Sequence, residues 1–222
     1  MINPWIGFQK SNQMVHPDDK DFIKRHNSRV SELYKFQLHL APEPWIGSIN
    51  APIVILLANP GATLNDLTGK PQFKANEITK LSLENLNQER ANFFHFFFDP
   101  ILNGTQGQAW YQKAFGTLLN KFSSESLSNN ILTCEIAPYH SHRWKRPSDE
   151  LPTQLYTNFI VKTAVQRNAL ILIHRGRNYW FEKVPELQMY SRAYFPNSTR
   201  SPWISKGNYP KGFDEICYQL ES

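Results

Sequence analysis

A chain of 222 residues, 41% hydrophobic and 14% aromatic, can bury a core without cross-links, which excludes a disordered chain and a small disulfide scaffold. Its net charge of +5 permits a polyanionic partner without requiring one. Neither of the two cysteines, Cys134 and Cys217, belongs to a CxxC or CxxH pair, so a zinc finger is excluded. No apolar run is long enough to span a bilayer and no secretory pattern opens the chain, so the expected location is the cytoplasm, with no membrane contact.

Residues 18–40 read as one amphipathic helix. Asp19 and Asp21 place acid in the first turn, and Phe22, His26, Val30, Leu33 and Phe36 recur at helical spacing. Ala41-Pro42-Glu43-Pro44 forces an extended exit. The β-branched run Ile53-Val54-Ile55-Leu56-Leu57 predicts a strand buried on both faces, ending in the turn Ala58-Asn59-Pro60-Gly61. Helices are expected over 76–86, 89–98 and 108–122. Within the second, five phenylalanines in six positions exceed what one helix face buries, so part of the run is core and part could meet a partner.

A second strand is predicted over 130–136, a helix over 150–166 and a third strand over 169–174. A short helix near 178–183, a weaker strand over 189–195 and a helix over 213–220 complete the chain. Strands alternating with helices imply a parallel sheet with right-handed crossovers, whose ligands bind at the carboxyl ends of the strands. The economical organisation is one domain over 1–222, with 1–41 as an N-terminal helical extension.

Polar residues collect where such a site would lie: Asn59, Glu135 with His140 and His142, His174 with Arg175, and the stretch from Asn197 to Trp203. Asn59-Pro60-Gly61 reads equally as a strand-ending turn or as an amide that positions a water or substrate. Glu135 interrupts an apolar strand and must find partners or hold a proton. It either reads a base edge, acts as a general base, or pairs structurally. With His140 it could form an acid–base pair. The run from His140 to Arg146 interleaves cations with Trp144, a pattern suited to phosphates and bases through Arg143 and Lys145, or to solvent. His140-Ser141-His142 lacks a further ligand at metal spacing, so no metal is expected. There is no Walker loop, no GxGxxG and no GxSxG elbow.

The run Pro42-Glu43-Pro44-Trp45-Ile46-Gly47, the strand, and then Asn59-Pro60-Gly61 resemble the first motif of the uracil-DNA glycosylase superfamily in its Asn-Pro-Gly version. Later segments follow in order across roughly residues 42–220, with no long stretch close. The resemblance implies a three-layer α/β/α sandwich around a central four-stranded parallel sheet. It also implies hydrolysis of the N-glycosidic bond of a flipped, damaged or mismatched base, DNA as partner, no cofactor, and a monomer by default. By position, Asn59 would hold the attacking water beside Pro60 and Gly61, and Phe73 would stack on the extruded base. Glu135 falls where members place an Asn that reads the pyrimidine edge; an ionised carboxylate donates no hydrogen bond, so amine-bearing edges would suit it better. His140 and His174 would complete the base pocket. The last motif departs most: Asn197 or Thr199 would stand in place of the family's His. Arg175, Arg200, Ser201 and Trp203 would hold DNA, with Trp203 as an apolar wedge. A non-catalytic nucleobase or nucleic-acid binder on the same fold is the alternative.

Overall fold

The computed structural model describes residues 1–70 and 72–221. Three buried, mainly apolar runs form its centre: Ile53–Leu56 (β2), Ile131–Cys134 (β3, with a buried Thr133) and Leu170–Ile173 (β4). With Trp45–Ile46 (β1) and Ala193–Tyr194 (β5) they make a five-stranded sheet of order β1-β3-β2-β4-β5. The pairs β3–β2, β2–β4 and β4–β5 are parallel. β1 runs antiparallel to β3, with Trp45 opposite Cys134.

The sheet is therefore mixed and has one strand more than the four parallel ones expected. The proline-rich exit that reads as a mere extended segment lies along β3: Glu43 N donates to Pro138 O, and Glu135 N donates to Pro44 O. Proline lacks an N–H and is tolerated on such an edge.

The runs are continuous because both faces are covered. Val54, Leu56, Leu132, Cys134, Ile171 and Ile173 join one apolar cluster, and the alternating Ile53, Ile55, Ile131, Leu170 and Leu172 join the other. The first cluster takes residues from α1 (Lys20–Arg29), α5 (Gln154–Gln166) and α6 (Arg177–Lys183). The second takes residues from α2 (Ala75–Leu86), α3 (Gln106–Leu119), α4 (Ser124–Asn130) and α7 (Phe213–Glu221).

Three expectations need correction. First, α1 stops at Arg29 instead of running to residue 40. Val30 is extended, and the chain folds back over the helix: the Asn27 amide accepts from Phe36 N and donates to Phe36 O, while Phe36 stacks on His26 at 4.6 Å. Residues 1–41 are thus no helical appendage. Trp5 is fully buried, and Asp19 accepts from Tyr139 Oη, Thr153 Oγ1 and Thr153 N.

Second, 89–98 is a loop, with left-handed backbone at Gln88 and Phe93, braced by Arg90. Its guanidinium bonds Phe93 O and Asn92 O and pairs with Glu84 and Asp99. A tight turn then buries Phe96, Phe97 and Phe98 together, while Phe93 and Phe94 stay half-buried. Third, β5 is only two residues long.

Gly47 ends β1 at φ +114, and a Cβ there would lie 2.3 Å from Ile131 O. Gly47→Ala is expected to cost about 2–3 kcal/mol, through left-handed strain and a forced shift of β3. Chemical denaturation measures this, and an unchanged midpoint would contradict the close approach.

Candidate functional site

The site grows from three chain segments tied at the carboxyl ends of β2 and β3. Leaving β2, residues 59–62 run beside residues 140–142, which follow β3. Ser141 N donates to Pro60 O, Ala62 N donates to Ser141 O, and Gly61 and Ser141 form a parallel bridge. The His140 ring ties in the third segment: Nδ1 lies 2.9 Å from Gly61 O and Nε2 lies 3.0 Å from Ala41 O.

This lacing fixes the orientation of Asn59. The Ser141 hydroxyl donates to Arg143 O, so it can only accept from Asn59, whose Nδ2 lies 2.9 Å from Ser141 Oγ and 2.8 Å from Pro60 O. The amide nitrogen is committed to the protein, and Oδ1 is the atom left to accept from a water or ligand. Downstream, Asp66 accepts from Thr63 N, Thr63 Oγ1 and Gln72 Nε2, which orders the loop after Gly61.

Between these segments and α3 lies a cavity of about 570 Å³, within the range of small-molecule and nucleobase sites. Asn59, Glu43 and Glu135 line it, with Phe97, Trp110 and Tyr111 forming an aromatic wall. Phe97 and Tyr111 stack at 5.0 Å, and Gly107 leaves room for the Phe97 ring. Lys10, Lys70 and Arg175 bring positive charge to the same cavity.

Glu43 and Glu135 are 5% and 7% exposed, and Oε1 of the first and Oε2 of the second have no hydrogen-bond partner. Burial raises the Glu43 carboxyl, offset in part by His140. Burial, and after it the charge of Glu43, raises Glu135 well above the ordinary carboxylate range, against the pull of Arg175. The folded state therefore keeps a proton on Glu135 that the unfolded chain releases near its ordinary pKa. Stability from this group is full on the acid side and falls as pH rises toward the raised folded value. Glu135→Gln is expected to flatten that fall: from pH 5 to pH 8 its melting temperature drops less than that of the native chain. An identical slope would refute the assignment.

Beneath the aromatic wall a buried polar chain runs from Tyr111 Oη to Thr133 Oγ1 (3.4 Å) and on to His95 Nε2 (3.3 Å). Burial pushes His95 down to about 3, so this ring is neutral. His174 lies behind the cavity, not in it. Its Nδ1 sits 2.7 Å from Tyr209 Oη, and the ring faces a water-sized space lined also by Trp110, Pro202 and Ile204. Burial, then Arg175, lowers it to about 4.

Of the residues singled out from sequence, Asn59, Pro60, Gly61, Glu135, His140 and Arg175 line the cavity together. His140 is no acid–base partner for Glu135, because both its nitrogens face carbonyl oxygens and its nearest carboxylate is Glu43, at 3.8 Å. Phe73 is 65% exposed and packs beside Lys74 and Gly104, outside the cavity wall. Arg143 and Lys145 are exposed and off the wall. So are Asn197, Thr199, Arg200 and Trp203, while Ser201 is half-buried and also off it. Asn197 is turned to its own hairpin, bonding Asn208 O and Gly207 O.

Sequence reasoning missed Glu43, Trp110 and Tyr111. The available signal for Glu43 was a carboxylate between two prolines, directly before a strand. The two aromatics fall inside the helix expected over 108–122, where nothing in their spacing marks a site. Among the described residues no group of three or more His, Cys, Asp or Glu side chains could hold a metal, and no helix is long and apolar enough to cross a membrane. A scan against models of known protein families finds no match to this chain, and neither does a search of curated proteins or of solved structures.

Proposed function

We propose that the cavity receives a nucleobase extruded from DNA and that the protein hydrolyses its N-glycosidic bond, in the manner of the uracil-DNA glycosylase superfamily. The observation that carries this reading is the fixed amide of Asn59. With Nδ2 held by Pro60 O and Ser141 Oγ, Oδ1 can align a water at the cavity wall. The order of the parallel strands supports it as well: the second, first, third and fourth in sequence lie side by side, so the segments of the resemblance converge on one edge of the sheet.

In the reaction the water oxygen bonds to C1′ of the sugar as the C1′–N bond breaks, the electron pair leaves with the base, and the proton shed by the water passes through solvent to the released base. An amide oxygen orients this water but is a weak base, so rate depends on stabilising the departing base. A neutral Glu135 carboxyl donates a hydrogen bond where that negative charge develops, a service that residues 197–203, off the cavity lining, do not give. Lys10, Lys70 and Arg175 meet the flanking phosphates.

The placement of Asn197 and Thr199 off the cavity favours a second reading, a binder that holds a base without cleaving it. One assay separates them. Labelled single- and double-stranded DNA carrying uracil, hypoxanthine, xanthine, guanine or a mismatch is incubated with protein and then treated with alkali. Strand breaks at one base type support excision; intact DNA on every substrate, with folded protein, overturns it.

A further inference from the structure

We propose that Glu43 and Glu135 act as a pair that reads the guanine-type edge, the 2-amino-6-oxo face of a purine. The inference rests on the reading of this cavity as a base pocket. Both carboxyl groups are more than nine-tenths buried, both line the cavity, and each keeps one oxygen without a hydrogen-bond partner. Buried polar atoms left so are costly, and a ligand with several N–H groups would satisfy them. The two side chains come from the segments just before β1 and just after β3, which are joined by backbone bonds from Glu43 N to Pro138 O and from Glu135 N to Pro44 O, so these bonds set their separation.

Two carboxyl groups in one dry site do not both ionise. The proton resides on Glu135, while His140, 3.8 Å from Glu43 Oε1, favours the anion on Glu43. The pair then presents one O–H donor and a carboxylate that accepts. Guanine presents O6 as acceptor and N1–H and N2–H as donors, so all three positions are met. Hypoxanthine lacks the amine, uracil places a carbonyl in its position, and adenine and cytosine each offer one donor group beside acceptors. The volume of about 570 Å³ admits a purine with its sugar, and the aromatic wall gives a stacking face. The purine N7 and C8 take no part in this edge, so guanines altered there remain ligands.

The full chain is titrated with deoxyguanosine, deoxyinosine and deoxyuridine, following tryptophan fluorescence, since Trp110 and Trp144 line the cavity. Deoxyguanosine is expected to bind about tenfold or more tighter than deoxyinosine, which differs only by the 2-amino group. Glu43→Gln is expected to lose that preference, because its amide oxygen no longer accepts from both N1–H and N2–H, whereas Glu135→Gln, which keeps a donor for O6, is expected to retain it. Equal affinity for deoxyguanosine and deoxyinosine in the native chain, no binding of any nucleoside, or a preference intact in Glu43→Gln overturns the proposal. The native-chain comparison decides even if a variant fails to fold. Asn59-dependent strand cleavage without a guanine preference removes this inference and leaves base excision standing. A guanine preference without cleavage keeps the inference and removes excision.

Discussion

Asn59→Ala is expected to lower base release by about two to three orders of magnitude, the usual loss when a group that orients the nucleophile is removed. Only Oδ1 is uncommitted in this side chain, so the alanine removes the acceptor assigned to the attacking water. The structural cost is smaller. Two hydrogen bonds to Pro60 O and Ser141 Oγ disappear, about 1 kcal/mol each. Ser141 N and Ala62 N still bond across the two loops, and His140 still bridges them. Single-turnover cleavage and a thermal melt on the same sample check both halves. A variant that melts near the native temperature yet cleaves at the native rate would remove Asn59 from the chemistry.

Asp19→Ala is expected to destabilise the fold by about 3–5 kcal/mol. Asp19 is fully buried and accepts from Tyr139 Oη at 2.7 Å, Thr153 Oγ1 at 2.6 Å and Thr153 N at 3.1 Å. Removing it strands three donors in the interior and leaves a void. Tyr139 Oη also accepts from His16 N, so the damage spreads into the N-terminal segment. Asp19→Asn keeps the volume and one acceptor, and the two hydroxyls can turn to accept from its amide, so its loss is smaller. Urea denaturation gives the values. A loss under about 1 kcal/mol for the alanine would mean that these bonds are made only weakly.

The α/β class was legible because three runs of strand length are apolar and free of charge, with Thr133 the one polar residue among them, as a doubly covered sheet requires. The helices α2, α3 and α5 followed from periodicity. The errors share one physical origin, local signals outweighed by partners distant in sequence. Residues 30–40 carry a helical pattern but are held by Asn27 and by the sheet-end loops, Gln37 N bonding His140 O. Residues 89–98 lack a breaker, yet the Arg90 side chain imposes a loop. At the site, Asn59, Glu135 and His140 were visible because strand ends converge in an α/β sheet. Glu43 was not, because its place depends on a register between β1 and β3 that sequence does not display. The exposed loop 197–203 was overweighted, since its polar residues match a motif but satisfy their own hairpin.

The clasp of Asp19 on Thr153 joins residues 134 positions apart, and Tyr139 meets Asp19 across 120. Such contacts close very long loops, so they form late and slow the search for the native state. During synthesis Trp5 and Ile23 lack the cluster they join until the strand at 131–134 and the helix at 154–166 have left the ribosome. For that interval the young chain carries an adhesive, unsatisfied end, and it is there that a holding chaperone would find its grip.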